Sequence, residues 1–249
     1  MQFAYQRPRA HADVISIMFH YAKAWQGVLA RVARAAERAG RDPDSVRVLA
    51  VSKTFPPEAI RAVYALGQRA FGENYVQEAL AKMDALEDLG DVEWHLIGPV
   101  QGNKARPAAT RFSWVQTVDR ERIAVRLSAA RGKDGPPLDV CVQVNVSGEA
   151  TKAGVVPAQA LSLGQAIVAL PGLRLRGFMG IPAPTDDAAR AHSEFRMLRE
   201  CFDAARAAGL PVDTLSMGMS ADLEVAIAEG ATLVRIGTAI FGAREQRSH

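Results

Sequence analysis

The residue with the clearest chemical potential is Lys53, which ends the apolar run Val46–Ser52 and is followed by Thr54-Phe55-Pro56-Pro57. An amine emerging from an apolar strand is partly desolvated, which favours the neutral form that attacks an aldehyde. The competing reading is a surface lysine whose stem lies along apolar neighbours while its charge stays in water. Two small-residue turns near the end of the chain add a second chemistry: Ser216-Met217-Gly218-Met219-Ser220 and Arg235-Ile236-Gly237-Thr238-Ala239 each continue an apolar run. Backbone N–H groups and hydroxyls in such turns can face an anion at a helix N-terminus. Either turn alone reads as an N-cap serine and a packing glycine, and the two together point to a phosphate cradle. Arg235 lies between Val234 and Ile236, where an unpaired charge is costly, so it needs a partner. One partner would be a pyridine nitrogen accepting a hydrogen bond, which the permanent cation would keep unprotonated and hence a weak electron sink. The other would be a buried carboxylate. Asn74, in Phe71-Gly72-Glu73-Asn74-Tyr75, offers an uncharged amide to a cofactor's ring hydroxyl. His95 and Lys104 read as a satisfied core histidine and a solvated lysine.

The elements that would carry these residues repeat along the chain. Tyr21, Trp25, Val28 and Val32 recur at helical spacing until Gly40 and Asp42-Pro43 stop the pattern. Eight short apolar runs follow: Val46–Ser52, Arg69–Gly72, Val92–Ile97, Trp114–Val118, Leu138–Val146, Leu173–Met179, Thr214–Met217 and Leu233–Ile236. Between them lie helical faces such as Val76, Leu80, Met83 and Leu86, or Phe195, Leu198, Phe202 and Ala205. Ser220-Ala221-Asp222 reads as another helix start, with Glu224 in its first turn. Continuous apolar strands alternating with helices imply a parallel sheet buried on both faces. Eight repeats favour an α/β fold closed into a (β/α)₈ TIM-type barrel with an extra N-terminal helix. A doubly wound open sheet predicts the same alternation, but no glycine-rich dinucleotide fingerprint follows the first strand. In a barrel, Lys53 and the two turns all fall at the C-terminal mouth, where active sites of this fold gather.

Composition bounds the rest. At 249 residues, with 49% hydrophobic and 23% charged, the chain suits one α/β barrel domain with a sizeable core. The formal net charge of +3 and pI near 9.0 arise without blocks of like charge, so no nucleic-acid partner is expected. Cys141 and Cys201 have no metal-ligand or disulfide spacing. No apolar stretch reaches membrane-spanning length, and Val14–Phe19 is too short for a secretory core. A cytoplasmic location is the expectation. Residues 1–20 show no sustained period and are read as an extension or disordered arm, with Met18 an alternative start, before a single barrel domain at 21–249.

Five ordered motifs carry a resemblance. They are Ala50-Val51-Ser52-Lys53-Thr54, Phe71-Gly72-Glu73-Asn74-Tyr75-Val76-Gln77-Glu78, Trp94-His95-Leu96-Ile97-Gly98-Pro99, Leu215-Ser216-Met217-Gly218-Met219-Ser220 and Val234-Arg235-Ile236-Gly237-Thr238-Ala239-Ile240-Phe241-Gly242. Over residues 21 to 244 the chain resembles the pyridoxal phosphate homeostasis proteins, single-domain relatives of the alanine racemase N-terminal-domain barrel. The resemblance implies pyridoxal 5′-phosphate as cofactor, held as a Schiff base on Lys53. It also implies phosphate contacts at Ser216, Ser220, Gly237 and Thr238, a ring-nitrogen contact at Arg235, and a cofactor-side Asn74. Lys152 matches a lysine linked with a secondary contact. The chain departs from the family in its segment before about residue 20 and in Gln101-Gly102-Asn103-Lys104, where a serine commonly replaces the glycine.

The family role implied is that of a carrier or regulator of pyridoxal phosphate supply, affecting amino-acid and keto-acid balance, with cofactor-dependent apo-enzymes as partners. The alternative is a pyridoxal phosphate-dependent amino-acid racemase or lyase with Lys53 as base on one face. A racemase needs acid–base groups on both faces, and no second group stands out. Racemases also need a further β-rich domain, for which a chain of this length has no room, and their dimer depends on that domain; a monomer is therefore expected. A cofactor-free interaction protein is a third reading, and it predicts a colourless protein after incubation with pyridoxal phosphate.

Overall fold

The computed structural model describes residues 9–149 and 151–243, with side chains from Met18 onward. Eight strands, β1 (Arg47–Val51), β2 (Ala70–Glu73), β3 (Glu93–Leu96), β4 (Trp114–Val118), β5 (Leu138–Val144), β6 (Leu173–Gly180), β7 (Thr214–Ser216) and β8 (Leu233–Ile236), close into a barrel in sequence order. All neighbouring pairs are parallel, including β1 with β8. Every residue of β4 and β5 is buried, as expected where side chains fill the interior and helices cover the outside. The α/β barrel expected from the sequence is the observed fold, and no helix among the described residues is long and apolar enough to cross a membrane.

The helices α2 (Pro57–Ala65), α3 (Val76–Ala85), α4 (Ala105–Arg111), α5 (Glu121–Arg131), α6 (Pro157–Val168), α7 (Ala188–Ala207), α8 (Leu223–Ala228) and α9 (Thr238–Phe241) follow the strands in turn. In α7 the expected face, Phe195, Leu198, Phe202 and Ala205, is buried. The extra helix α1 (Arg9–Arg38) begins inside the segment assigned to an N-terminal extension, and residues 1–8 lie outside the described residues. Its buried Trp25, Val28, Val32 and Ala36 join the outer core. Gly40, at φ 67°, ends it in a left-handed turn that a side chain would resist, and Arg41 N–H donates back to Ala36 O at 2.9 Å.

Strands β1, β2, β3 and β6 shift by one residue at one or both ends from the sequence reading, and the ends of β5 and β7 differ for visible reasons. β5 stops at Val144, because Asn145 turns the chain: its side-chain amide donates to Glu149 O at 2.8 Å. β7 stops at Ser216, yet Met217 stays fully buried and its N–H still reaches Leu233 O at 3.1 Å. The apolar run overshoots the strand there because burial outlasts the ladder.

Candidate functional site

Strand register brings the candidate residues to one mouth. Ala50 is level with Phe71 of β2 and with Ile236 of β8. Moving toward the C-terminal ends, Gly237 reaches Val51, where an added Cβ would stand 3.3 Å from Val51 O. The first strand therefore sits between the turn holding Gly237 and Thr238 and the strand leading to Asn74. Lys53 and Asn74, both half-buried, follow β1 and β2 at the same mouth as Ser216, Ser220, Gly237 and Thr238. Phe55, two residues past Lys53, stacks on Phe241 of α9 with ring centroids 5.1 Å apart. Phe241 in turn meets Tyr21 of α1 edge-on at 6.0 Å.

Arg235 is the buried charge at the centre of this mouth. It is 4% exposed, and its Nη1 donates to Ser216 O at 2.7 Å and to Ser216 Oγ at 2.8 Å. Its Nη2 donates to Gly180 O at 2.9 Å. The carboxylate pair considered from the sequence is not what holds it, since these partners are carbonyls and a hydroxyl. Burial pushes its pKa down to about 10, while the more distant charge of Asp222 acts the other way. It remains a cation at neutral pH.

Ser216 extends the arrangement across the barrel. Its hydroxyl donates to Gln116 Oε1 at 2.6 Å, and the Gln116 amide lies 2.9 Å from His95 Nδ1. With Gln116 donating there, His95 carries its proton on Nε2, which faces Glu93 Oε2 at 3.4 Å. Glu93 also receives Arg47 at 2.8 Å, and its pKa falls to about 2, first through His95 and then through Arg47. His95 is fully buried, stacked on Trp114 at 5.0 Å, and burial lowers its pKa. It is the satisfied core histidine expected, and one member of a polar line from the N-terminal face of the barrel to Arg235. Cys141 lies in the same interior, and burial raises its thiol pKa, so it is inert.

The phosphate turns have distinct geometry. Gly218 adopts φ 91°, and an added Cβ would stand 2.5 Å from Ala226 Cβ, so only glycine fits. Met219 N–H donates to Asp222 Oδ1 at 2.6 Å; Asp222, not Ser220, occupies the N-cap position of α8. Ser220 O accepts from Arg31 Nη1 at 2.7 Å, and Arg31 also grips Glu224 of α8 at 2.6 Å. The long first helix is thus tied to the turn after β7. In the turn after β8, the first N–H groups of α9 belong to Thr238 and Ala239, and opening amides of a helix have no intrahelical acceptor. Ser216 differs from these in having its hydroxyl already engaged by Gln116 and Arg235. Lys152, in the loop after β5, has its Nζ 3.3 Å from Glu149 Oε1 but without hydrogen-bond geometry. A cavity of about 340 Å³ opens at the other end of the barrel, lined by Arg41, Arg199, Phe202 and Arg206; none of the candidate residues borders it.

Sequence reading gave no role to Gln116, Glu93 or Gly180. A signal for Gln116 was present: a glutamine inside the apolar run Trp114–Val118 must find partners once both faces of the strand are covered. Among the described residues no group of three or more His, Cys, Asp or Glu is placed to hold a metal ion.

Comparison with known proteins agrees with the barrel fold. Residues 26–245 match the model of the alanine racemase N-terminal domain. A pyridoxal phosphate homeostasis protein of Pseudomonas aeruginosa is 56% identical over 218 residues, covering 88% of this chain and 93% of that protein. Its Escherichia coli K12 counterpart is 48% identical over 217 residues, covering 86% and 93%. The structure of PipY from Synechococcus elongatus with PLP bound superposes at TM-score 0.73 and 40% identity, covering 85% of this chain and 100% of that one. The chain belongs to the pyridoxal phosphate homeostasis protein family, built on the alanine racemase N-terminal-domain barrel.

Proposed function

We propose that this protein binds pyridoxal 5′-phosphate, attached through the Lys53 amine, and serves intracellular homeostasis of that cofactor as a carrier or regulator. The single observation that carries the reading is Arg235. A buried guanidinium whose hydrogen-bond partners are the neutral Ser216 and Gly180 keeps a cation at the barrel mouth with no carboxylate bonded to it, suited to a ring nitrogen that stays unprotonated. The residues present fit the rest of the group. Gly237 lets backbone approach where a side chain would press on Val51, and Thr238, Ser220 and the amides beside them suit a phosphate. Asn74 suits the ring hydroxyl, and the half-buried Lys53 would hold the aldehyde through its amine.

When bound, pyridoxal phosphate supplies electron withdrawal toward its ring nitrogen, and a nitrogen held unprotonated supplies less of it. Lys53 would anchor the group, Arg235 would hold the ring nitrogen and blunt carbanion chemistry, and the turns after β7 and β8 would retain the phosphate. Delivery to apo-enzymes, action as a monomer and the lack of catalysis are part of this proposal. Exchange of amino-acid α-protons in deuterated water tests it: the loaded protein should match free cofactor across a broad amino-acid panel. A rate well above free cofactor would favour a racemase or lyase instead.

A further inference from the structure

Outside the residues above, one buried ionic cluster stands directly behind Lys53. Lys82 of α3 is 5% exposed and Glu73 of β2 is fully buried. Lys82 Nζ donates to Glu73 Oε1 at 2.8 Å, to Glu78 Oε1 at 2.7 Å and to the Ser52 carbonyl at 2.8 Å. Ser52 Oγ adds a 2.6 Å bond to the same Glu73 oxygen, and Thr54 N–H donates to Glu78 Oε1 at 2.6 Å. Burying an ammonium and a carboxylate together is expensive unless the geometry is demanded, and the other Glu73 oxygen is buried without a partner.

The two backbone groups this cluster holds belong to the two peptide planes that flank Lys53. The Ser52 carbonyl lies in the plane before its Cα and the Thr54 N–H in the plane after it. Because peptide planes are rigid, fixing both fixes φ and ψ of the residue between them and so the direction of its Cα–Cβ bond. Thr54, whose N–H the cluster holds, stands at φ 70° and is the one non-glycine residue at positive φ among those described, in a turn that Phe55 N–H closes on Ser52 O at 3.1 Å. A β-branched residue rarely adopts that conformation unless its surroundings impose it.

We propose that Lys82 and Glu78 are positioning residues for the cofactor-bearing lysine: an ionic clamp that holds the peptide planes on either side of Lys53, supports the left-handed turn at Thr54 and so aims Lys53 into the barrel mouth. The inference rests on Lys53 being the anchor. Lys82→Met is the obvious variant, but it strands buried Glu73 without its cation and threatens folding, so the test uses Glu78, whose side chain is 29% exposed. In Glu78→Ala the Thr54 turn loses its acceptor, and the apparent dissociation constant for pyridoxal phosphate, read from the absorbance of the bound chromophore, should rise roughly tenfold, the scale of one charge-assisted hydrogen bond. Adding Thr54→Gly, which accepts positive φ without strain, should recover most of that loss. A merely structural cluster does not make this prediction, because glycine in a loop loosens the chain. Affinity within twofold of wild type in Glu78→Ala, or no recovery in the double variant, would overturn the clamp. Borohydride reduction and peptide mapping of the wild-type protein separates the two ideas: a tag elsewhere than Lys53 removes the anchor and the clamp with it, whereas a tag on Lys53 with unchanged Glu78→Ala affinity refutes the clamp alone.

Discussion

Replacing Arg235 with methionine separates what this residue does for the fold from what it does for the cofactor. With 4% exposure and a pKa pushed down to about 10 by burial, holding its charge costs the folded state about 3 kcal/mol at neutral pH. The sign follows from a folded pKa below the unfolded one in a base: the cost is present in full below about pH 10 and relieved above it. Methionine removes that cost but withdraws the donors from Ser216 O, Ser216 Oγ and Gly180 O. Each acceptor left dry costs on the order of 1–3 kcal/mol. The balance is a loss of a few kcal/mol, so the melting temperature of the apo-protein should fall by about 5–10 °C. Pyridoxal phosphate should bind roughly 10- to 100-fold more weakly, the scale of one hydrogen bond to a charged group. The discriminating assay is absorbance of the bound chromophore between about pH 5 and 9. Beside Arg235 the ring nitrogen stays unprotonated and its contribution is flat, whereas in Arg235→Met it should titrate. A variant spectrum as insensitive to pH as the wild type, at saturating cofactor, would refute the assigned contact.

Two further outcomes follow from the geometry. Gly218→Ala places a methyl group 2.5 Å from Ala226 Cβ at φ 91°, and strain plus overpacking should cost about 2–4 kcal/mol in chemical denaturation; a change under about 0.5 kcal/mol would show that the turn relaxes freely. On the acid side, buried His95 has its pKa lowered by burial, so the unfolded chain takes up a proton below about pH 6.5 that the folded chain refuses. Glu93, held down to about 2, contributes stability that is present above its unfolded value and lost as pH falls toward 2. Stability should therefore decline as pH drops from 6.5, and the double variant His95→Asn, Glu93→Gln should flatten that slope; an unchanged slope contradicts the assignment.

Much of the barrel was legible because burial on both faces leaves an unambiguous sequence trace. Trp114–Val118 and Leu233–Ile236 match β4 and β8 residue for residue, while the run through Val146 outlasts β5 because apolar burial continues past the ladder. The start of α1 was not legible, since Arg9 to His20 lacks the period that Trp25 to Val32 displays. At the site, Lys53, Arg235 and the glycine turns announced themselves by type and place. Their supports did not: Gln116 lies 100 positions from the Ser216 hydroxyl that donates to it, and Lys82 lies 30 from the Ser52 carbonyl to which it donates. Nothing local marks a lysine in a helix as buried, so pairings of this kind become visible only once the barrel is closed.

The central claim is that the Lys53 amine anchors pyridoxal phosphate at the mouth of this barrel. Incubation of the purified protein with the cofactor, borohydride reduction and peptide mapping by mass spectrometry test it directly. The account predicts a single pyridoxyl tag on Lys53, abolished in Lys53→Ala with the fold retained. A tag on another lysine, or equal labelling of the Lys53→Ala variant, would contradict it.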